Sequence, residues 1–560
     1  MMNSHEDEKT ADTADITANV DVLEVDARAD YSSGSASLED QISHNLIHRK
    51  LNSRQVQLTS IAGSIGALLF VGIGSGLSSG PIALIVGKCS MVEESLKIQV
   101  SSSGAQLSLA SLNVIVTLFP LDGSFIRLAG RMVDPALACA VGWNHFFAQT
   151  SYVVFEATVI NTLVEWWGYH LSPAILITVS LVLYFGINIY RADLFGEAEC
   201  SLGSGAYRLH FHHHGRWQPT PRVSNRASSI AMLTLRSGFG FRNWVHPAPW
   251  VGNSPSSRLE SFINAVNVAG FCMAGPEYIS MIAGEAKQPR KSITRAFKTI
   301  MARLIVFYLG GAICVGILVP SDDKTVISMK RLGIPVLPDI VTAVLLTVIF
   351  SAGNAYTFGA SRSLHAMALD HKAPAFLRKT NKHGVPYPAV ICVLLLSTLA
   401  YLALGTGSAV VLNWLLNFCT AATMFNWLVM SITWIRFNSA MRAQGIDRNE
   451  FLINRSKYQP YIAYWAAFWS FIFIWVQGYA VFLRGNWNVP QFIFNYGIIG
   501  LAGLIGLCFK VFGRTPFHRS KEVDLHSDLE FFRILDQEYD RQRDEAPPIT
   551  LKDKILYRLF

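Results

Sequence analysis

Residues 261–299, SFINAVNVAGFCMAGPEYISMIAGEAKQPRKSITRAFKT, combine three features for which a water-soluble core has no use. An apolar run is interrupted by Ala274, Gly275 and Pro276, an ionisable Glu277 stands directly behind the interruption, and the run ends among the cations Lys287, Arg290, Lys291, Arg295 and Lys298. Proline removes a backbone donor and its ring clashes with the preceding turn. At membrane depth, backbone broken in this way persists only where it is buried in protein or lines a polar cavity. A carboxylate facing lipid is costly, which marks Glu277 as a working group. The cations place that end of the segment at the cytoplasmic face.

The composition of the whole chain agrees with a bilayer. Its 560 residues are 51% hydrophobic, 12% aromatic and only 15% charged, too apolar for one soluble domain. The net charge of +8 gathers in particular loops, so nucleic acid is not implied. Cys89, Cys139, Cys200, Cys272, Cys314, Cys392, Cys419 and Cys508 are scattered, mostly in apolar runs, without metal-ligand or paired spacing. They read as small buried apolar residues, and no cofactor or metal is implied. Residues 1–47 are rich in Asp, Glu, Ser, Thr and Ala and read as a disordered cytoplasmic tail. Their charged start lacks the apolar region of a signal peptide.

Apolar runs of spanning length, roughly 20 residues, occur at 57–87, 135–163, 172–190, 261–283, 301–320, 335–356, 388–405, 410–435, 460–483 and 491–512, with a short one at 105–119. Lys and Arg concentrate in alternate connections, at 127–131, 191, 287–298, 372–382, 436–457 and after 510. Both termini are therefore expected in the cytoplasm, which requires an even number of crossings. Parity fails at one place. Arg191 and the 287–298 cluster belong on the same side, yet residues 200–258 between them contain no run of spanning length. They hold instead CSLGSGAYRLHFHHHGRWQPTPRVSNRASS, in which His210, His212, His213 and His214 have no carboxylate or cysteine framework around them. A solvated loop fits these histidines better than a metal site. A displaced reading frame fits as well: shifted by one base, the histidine codons give Ile, Thr or Met, and one allowed choice spells an apolar helix. On that account residues 200–236, and by their polarity 88–104, are aberrant, and the chain is the non-functional product of a defective gene model.

Five stretches then follow one another in a telling order: SIAGSIGALLFVGIGSGL at 60–77, LFPLDGSFIRLAGRMVDPALACAVGWNHFF at 118–147, FGFRNW at 239–244, AGPEYISMIAGEAKQPRKSITRAFKT at 274–299, and SAGNAYTFGASRSLHAMALDHKAPAFLRKTNKHGVPYPAV at 351–390. With these motifs and its hydropathy, the chain resembles the fungal amino acid permeases of the amino acid, polyamine and organocation superfamily over most of 50–515. The resemblance implies an all-α integral membrane fold of twelve helices, an inverted repeat of five and five, with the first and sixth helices unwound. The second and fifth would be poorly formed in this sequence. A permease domain at 48–515 and a cytoplasmic C-terminal tail at 516–560 follow. The residues supply a physical basis for the two breaks: Gly63, Gly66, Gly72, Gly74 and Gly76 loosen one run, and Gly275 and Pro276 break another, in corresponding positions of the two halves.

By this resemblance the substrate-binding residues are Ala62, Gly63, Ser64, Ile65 and Gly66 at the first break, and Phe271, Ala274, Gly275, Pro276 and Glu277 at the second. Unpaired amides of a half-helix suit a substrate carboxylate, and free carbonyls suit its ammonium. Close helix packing remains the alternative for the glycines, and core filling for Phe271. Glu277 and Glu156 are the proton-coupling candidates, Glu156 having a buried, neutral, hydrogen-bonded role as its alternative. GIGSG at 72–76 follows no strand and is not a dinucleotide loop. Asn354, Tyr356, Ser361 and Arg362 match a family motif, with Arg362 reading as a structural anchor. No nucleophile, base and orienting carboxylate fall together as an enzyme would need. The resemblance implies secondary active import of amino acids by proton symport across the plasma membrane, with the bilayer, an amino acid and protons as partners. Trafficking or ubiquitination machinery would act at the tails. A sensor that binds an amino acid without moving it is the alternative, and the tail sequence DLEFFRILDQEYDRQ admits a short amphipathic helix or plain disorder.

Overall fold

Proline and glycine set the helix boundaries that position the site. In the computed structural model, the described residues fall within 76–92, 114–190 and 244–545, interrupted chiefly at 245–249, 273–275, 305–308, 319–336 and 453–458. Residues 62–66 and 200–236 lie outside them, as do Ala274, Gly275 and all of 88–104 after Val92. The described residues belong to one unit, Arg49–Phe560.

The described residues are helical apart from connecting turns. The principal helices are α1 (Pro81–Val92), α2 (Ser124–Met132), α3 (Pro135–Glu165), α4 (Pro173–Tyr190), α5 (Pro255–Cys272), α6 (Pro276–Met281), α7 (Pro289–Leu304), α8 (Gly311–Leu318), α9 (Leu337–Leu369), α10 (Tyr387–Ser397), α11 (Ser408–Ala443), α12 (Tyr461–Val476), α13 (Ile498–Gly513) and α14 (Leu529–Glu545). Several open on proline, whose missing N–H costs nothing in a first turn.

Hydropathy alone draws the boundaries differently in three places. The apolar run 57–87 does not end at 87: a fresh helix, α1, begins inside it at Pro81, after Gly80 takes a φ of 99° and its amide closes a turn on Leu77 O at 2.9 Å. α7 starts within the basic cluster, ahead of the apolar run at 301, because the cluster is amphipathic: Ile293, Ala296 and Phe297 are buried while Lys291 and Arg295 are exposed. α9 continues past 356 to Leu369, because Ser361 and Ser363 turn inward and are buried.

Among the described residues, five helical spans are long and apolar enough to cross a membrane: Thr342–Leu369, Tyr387–Gly405, Ser408–Ala443, Tyr461–Phe482 and Val489–Gly513. Their outer faces carry exposed Leu395, Leu399, Trp475, Leu504 and Val511, the surface a lipid solvent requires. α3 is different. At 31 residues it is about 46 Å long, yet Asn144, His145, Gln149, Tyr152, Glu156 and Asn161 are all buried in it. It packs against α2, α4, α9, α11 and α13, so protein rather than lipid surrounds it. Asp134 holds its start, accepting from the Ala136 amide at 2.7 Å and from Thr515 Oγ1 at 3.1 Å.

The α4–α9 contact tests how tightly this bundle is packed. A Cβ on Gly353 would lie 2.1 Å from Tyr184 Oη and 2.6 Å from Cζ, a ring already stacked on Phe350 at 5.0 Å; one on Gly186 would meet nothing within 4 Å. Gly353→Ala is expected to destabilise by about 1–3 kcal/mol through overpacking. Gly186→Ala, which only improves helix propensity, should be neutral or stabilising by about 0.5–1 kcal/mol. Thermal melting of the detergent-solubilised protein, followed by size-exclusion chromatography, compares the two.

Candidate functional site

At the second predicted break, residues 273–275 lie outside the described residues and separate two helices. α5 ends at Cys272, α6 begins at Pro276, and the first residue after that proline is Glu277. Phe271 is fully buried and Glu277 is 1% exposed, so the carboxylate sits inside protein, as its cost against lipid demands. Ser280 Oγ donates to Glu277 O at 2.6 Å and ties the first turn of α6 together. Gly270 allows close approach just before the break: a Cβ there would stand 2.5 Å from Met424 Cε of α11.

The site is assembled against α3. Phe271 packs edge-on against Phe155, with ring centroids 4.8 Å apart, and lies 5.6 Å from the Tyr152 ring. Tyr152 in turn stacks on Tyr356 of α9 at 4.9 Å, and its hydroxyl is 3.2 Å from Thr423 Oγ1 of α11. Three continuous helices and the broken one therefore meet around Tyr152. On α11, Thr420 Oγ1 donates to Asn267 O of α5 at 3.3 Å, and Asn267 Nδ2 donates to Gln477 O at 2.8 Å, so the helix before the break is held by hydrogen bonds on two sides.

Glu156 occupies the same helix as this cluster, next to Phe155, and is fully buried. His145, Gln149, Tyr152 and Glu156 recur at intervals of four, three and four residues, which puts all four on one face of α3. At the α2 end of that face, Asn144 Nδ2 donates to Ala422 O and to Asn426 Oδ1, both at 2.8 Å, and Asn426 Nδ2 lies 3.5 Å from His145 Nδ1. A polar seam thus joins α3 to α11 inside an otherwise apolar core.

Of the residues expected from sequence, the structure packs Phe271 against α3, puts Pro276 at the start of α6 with Glu277 buried behind it, and sets Glu156 buried on α3 next to Phe155. Ala62–Gly66, Ala274 and Gly275 lie outside the described residues. Tyr356 reaches the same cluster, whereas Asn354 turns toward α4 and accepts from Asn188 Nδ2 at 2.8 Å. Arg362 lies over the Phe358 ring at 4.6 Å, a local packing contact. Sequence reasoning missed Tyr152 and Thr423. For Tyr152 the signal was available in the helical spacing of His145, Gln149, Tyr152 and Glu156.

A family model described as "Amino acid permease" matches residues 55–522. The chain belongs to the amino acid permease family. It is 34% identical to the general amino acid permease AGP2 of Saccharomyces cerevisiae, over 86% of this chain and 82% of that one. It is 28% identical to the dicarboxylic amino acid permease of the same yeast, over 94% and 88% respectively. Among solved structures it is similar to a Na+-coupled sialic acid symporter, with a TM-score of 0.47 and 10% identity over 78% of this chain and 95% of that one. This amino acid permease is accordingly a multi-pass membrane protein.

Two substitutions separate the roles of the Tyr152 ring and its hydroxyl. Tyr152→Phe keeps the stack on Tyr356 and loses one hydrogen bond, an expected cost of about 1 kcal/mol. Tyr152→Ala removes a buried aromatic shared by three helices, an expected cost of about 3–5 kcal/mol. Melting of the purified variants measures both.

Proposed function

We propose that this permease imports amino acids by proton symport, holding the substrate at the break between α5 and α6 and at the glycine-rich stretch 62–66. The buried carboxylate of Glu277 beside broken backbone carries this reading. Such a break leaves peptide amides and carbonyls without helical partners, and a buried unpartnered amide or carbonyl is unfavourable. A zwitterion supplies both missing partners: its carboxylate accepts from amides at a half-helix N-terminus, and its ammonium donates to carbonyls at the other end. Phe271, Tyr152 and Tyr356 then form the apolar wall against which the rest of the substrate packs.

Glu277 is the proposed proton carrier at the substrate, and Glu156 a second candidate on the polar face of α3. A carboxylate that crosses between charged and neutral while water is excluded couples the proton to the motion, because only one of those states is readily buried. The basic ends of α2 and α7 favour a cytoplasmic position for that side of the bundle, and with it for both tails. The plasma membrane is the proposed location. The relatives named above are called general and dicarboxylic, so these likenesses leave the side chain of the substrate open.

Glu277→Gln preserves shape and removes the titratable proton. Uptake of a radiolabelled amino acid mixture into cells is expected to fall by roughly tenfold to a hundredfold, the size of one charged hydrogen bond. Thermal stabilisation of the purified variant by the same amino acids should survive. Wild-type uptake should collapse when a protonophore removes the pH gradient; uptake indifferent to both treatments contradicts proton symport through Glu277.

A further inference from the structure

The segment after α13 forms a strap with two anchors on different parts of the bundle. Its first half, residues 514–528, is fixed to continuous helices. Arg131 at the end of α2 donates through Nε to Asp524 O at 2.8 Å and through Nη2 to Ser527 O at 2.8 Å and Asp524 Oδ2 at 3.1 Å. At the end of α11, Gln444 Nε2 donates to Val523 O at 2.7 Å, Arg436 Nη2 donates to His518 O, and the Arg436 guanidinium lies 4.8 Å over the Phe517 ring. The His518 amide donates to Val133 O at 3.1 Å. Val523 and Leu525 are buried in the main hydrophobic core.

The second half is α14, and it reaches a different element. Phe532, Leu535 and Tyr539, spaced three and four apart, form its buried stripe. Beside that stripe Asp536 pairs with Arg290 Nη1 at 2.9 Å, and Asp540 pairs with Lys291 Nζ at 2.5 Å. Arg290 and Lys291 belong to the first turn of α7, the helix that follows the broken α5–α6 pair. The strap therefore ties the element beyond the break to α2 and α11, which are continuous. If the half-helix α6 tilts, α7 moves with it and the distance spanned by the strap changes.

The two anchors are unequal. Partial burial alone would raise the Asp524 carboxyl, but the Ser527 hydroxyl and amide, Arg131 and the His526 amide hold it down to about 2. Its folded-state value is thus depressed. Its contribution to docking is complete above the ordinary carboxylate range near 4 and is lost only as pH falls toward 2. At α14 the sign reverses: burial raises the Asp536 carboxyl despite Arg290 and Lys291, with Asp540 adding to the rise. The Lys291 and Asp540 side chains are 55% and 41% exposed, and such pairs contribute little.

We infer that α14 is a releasable latch: docked on the first turn of α7, it restrains opening at the basic end of the bundle, and it lifts off while residues 514–528 stay anchored. This rests on the transport reading given above.

The test uses the full-length chain in cells and in membrane vesicles, with surface expression measured in parallel. Asp536→Arg with Asp540→Arg places like charges against Arg290 and Lys291. Glu-C cleavage in α14, at Glu530 and Glu538, which the substitutions leave in place, is expected to accelerate, and initial amino acid uptake to rise by roughly fivefold or more. Adding Arg290→Asp and Lys291→Asp to that variant should return both readouts toward wild type. If cleavage is unchanged, the docking is overturned. If cleavage accelerates while wild-type-level uptake stays the same or falls, the latch is overturned and the transport reading stands. If neither wild type nor released variants take up amino acids, the transport reading fails and the latch with it.

Discussion

Everything in this fold depends on one constraint: a peptide group placed at membrane depth must have a hydrogen-bond partner. A continuous helix satisfies it internally, which is why the described residues are helical and why the exposed surfaces of α10, α12 and α13 can be predominantly apolar and aromatic. The proposed break between Cys272 and Pro276 would violate the constraint locally. It is admissible because α5 and α6 are enclosed by protein, with Phe271 and Glu277 buried and Asn267 tied to both α11 and Gln477.

Enclosing a broken helix requires a rigid neighbour, and α3 supplies it. Its length exceeds the hydrocarbon thickness, and its sides are covered by α2, α4, α9, α11 and α13. That coverage lets it carry His145, Gln149, Tyr152 and Glu156 on one face without exposing them to lipid. Tyr152 is the keystone of the contact, since its ring touches α9 and α5 while its hydroxyl reaches α11. The acidic α14 adds a third layer at the basic end, where its ion pairs to Arg290 and Lys291 flank the buried stripe of Phe532, Leu535 and Tyr539. Fixed backbone contacts, a polar-faced pillar and a peripheral strap then form one hierarchy, from least to most easily released.

Much of this was legible in the residues. Gly275 and Pro276 announce an interruption, and Glu277 behind them announces that it is buried; both follow from the cost of exposed polar groups in lipid. Hydropathy located most spans, because long apolar faces meet lipid. Its windows fell short where helices are covered by protein or amphipathic: the basic start of α7 lies ahead of the apolar run at 301, and α9 runs past 356 through Ser361 and Arg362, which the family motif already places in that span. It also merged α1 into the preceding run, because a change of direction at Gly80 leaves no mark on hydrophobicity. Long-range partners were not legible. Nothing local in sequence pairs Tyr152 with Thr423, or Arg131 with Asp524, since these contacts are made by tertiary packing across hundreds of residues. The tail helix was visible as an amphipathic pattern, but its docking depends on cations that lie far away in the chain.

The central claim is that broken backbone recognises the two charged ends of an amino acid, and competition by blocked analogues tests it most directly. Uptake of a labelled amino acid would be measured in the presence of the unlabelled free form, its N-acetyl derivative or its methyl ester. The account predicts that only the free zwitterion competes, because each derivative lacks one of the two charges the break is built to satisfy. Equal competition by all three would contradict it.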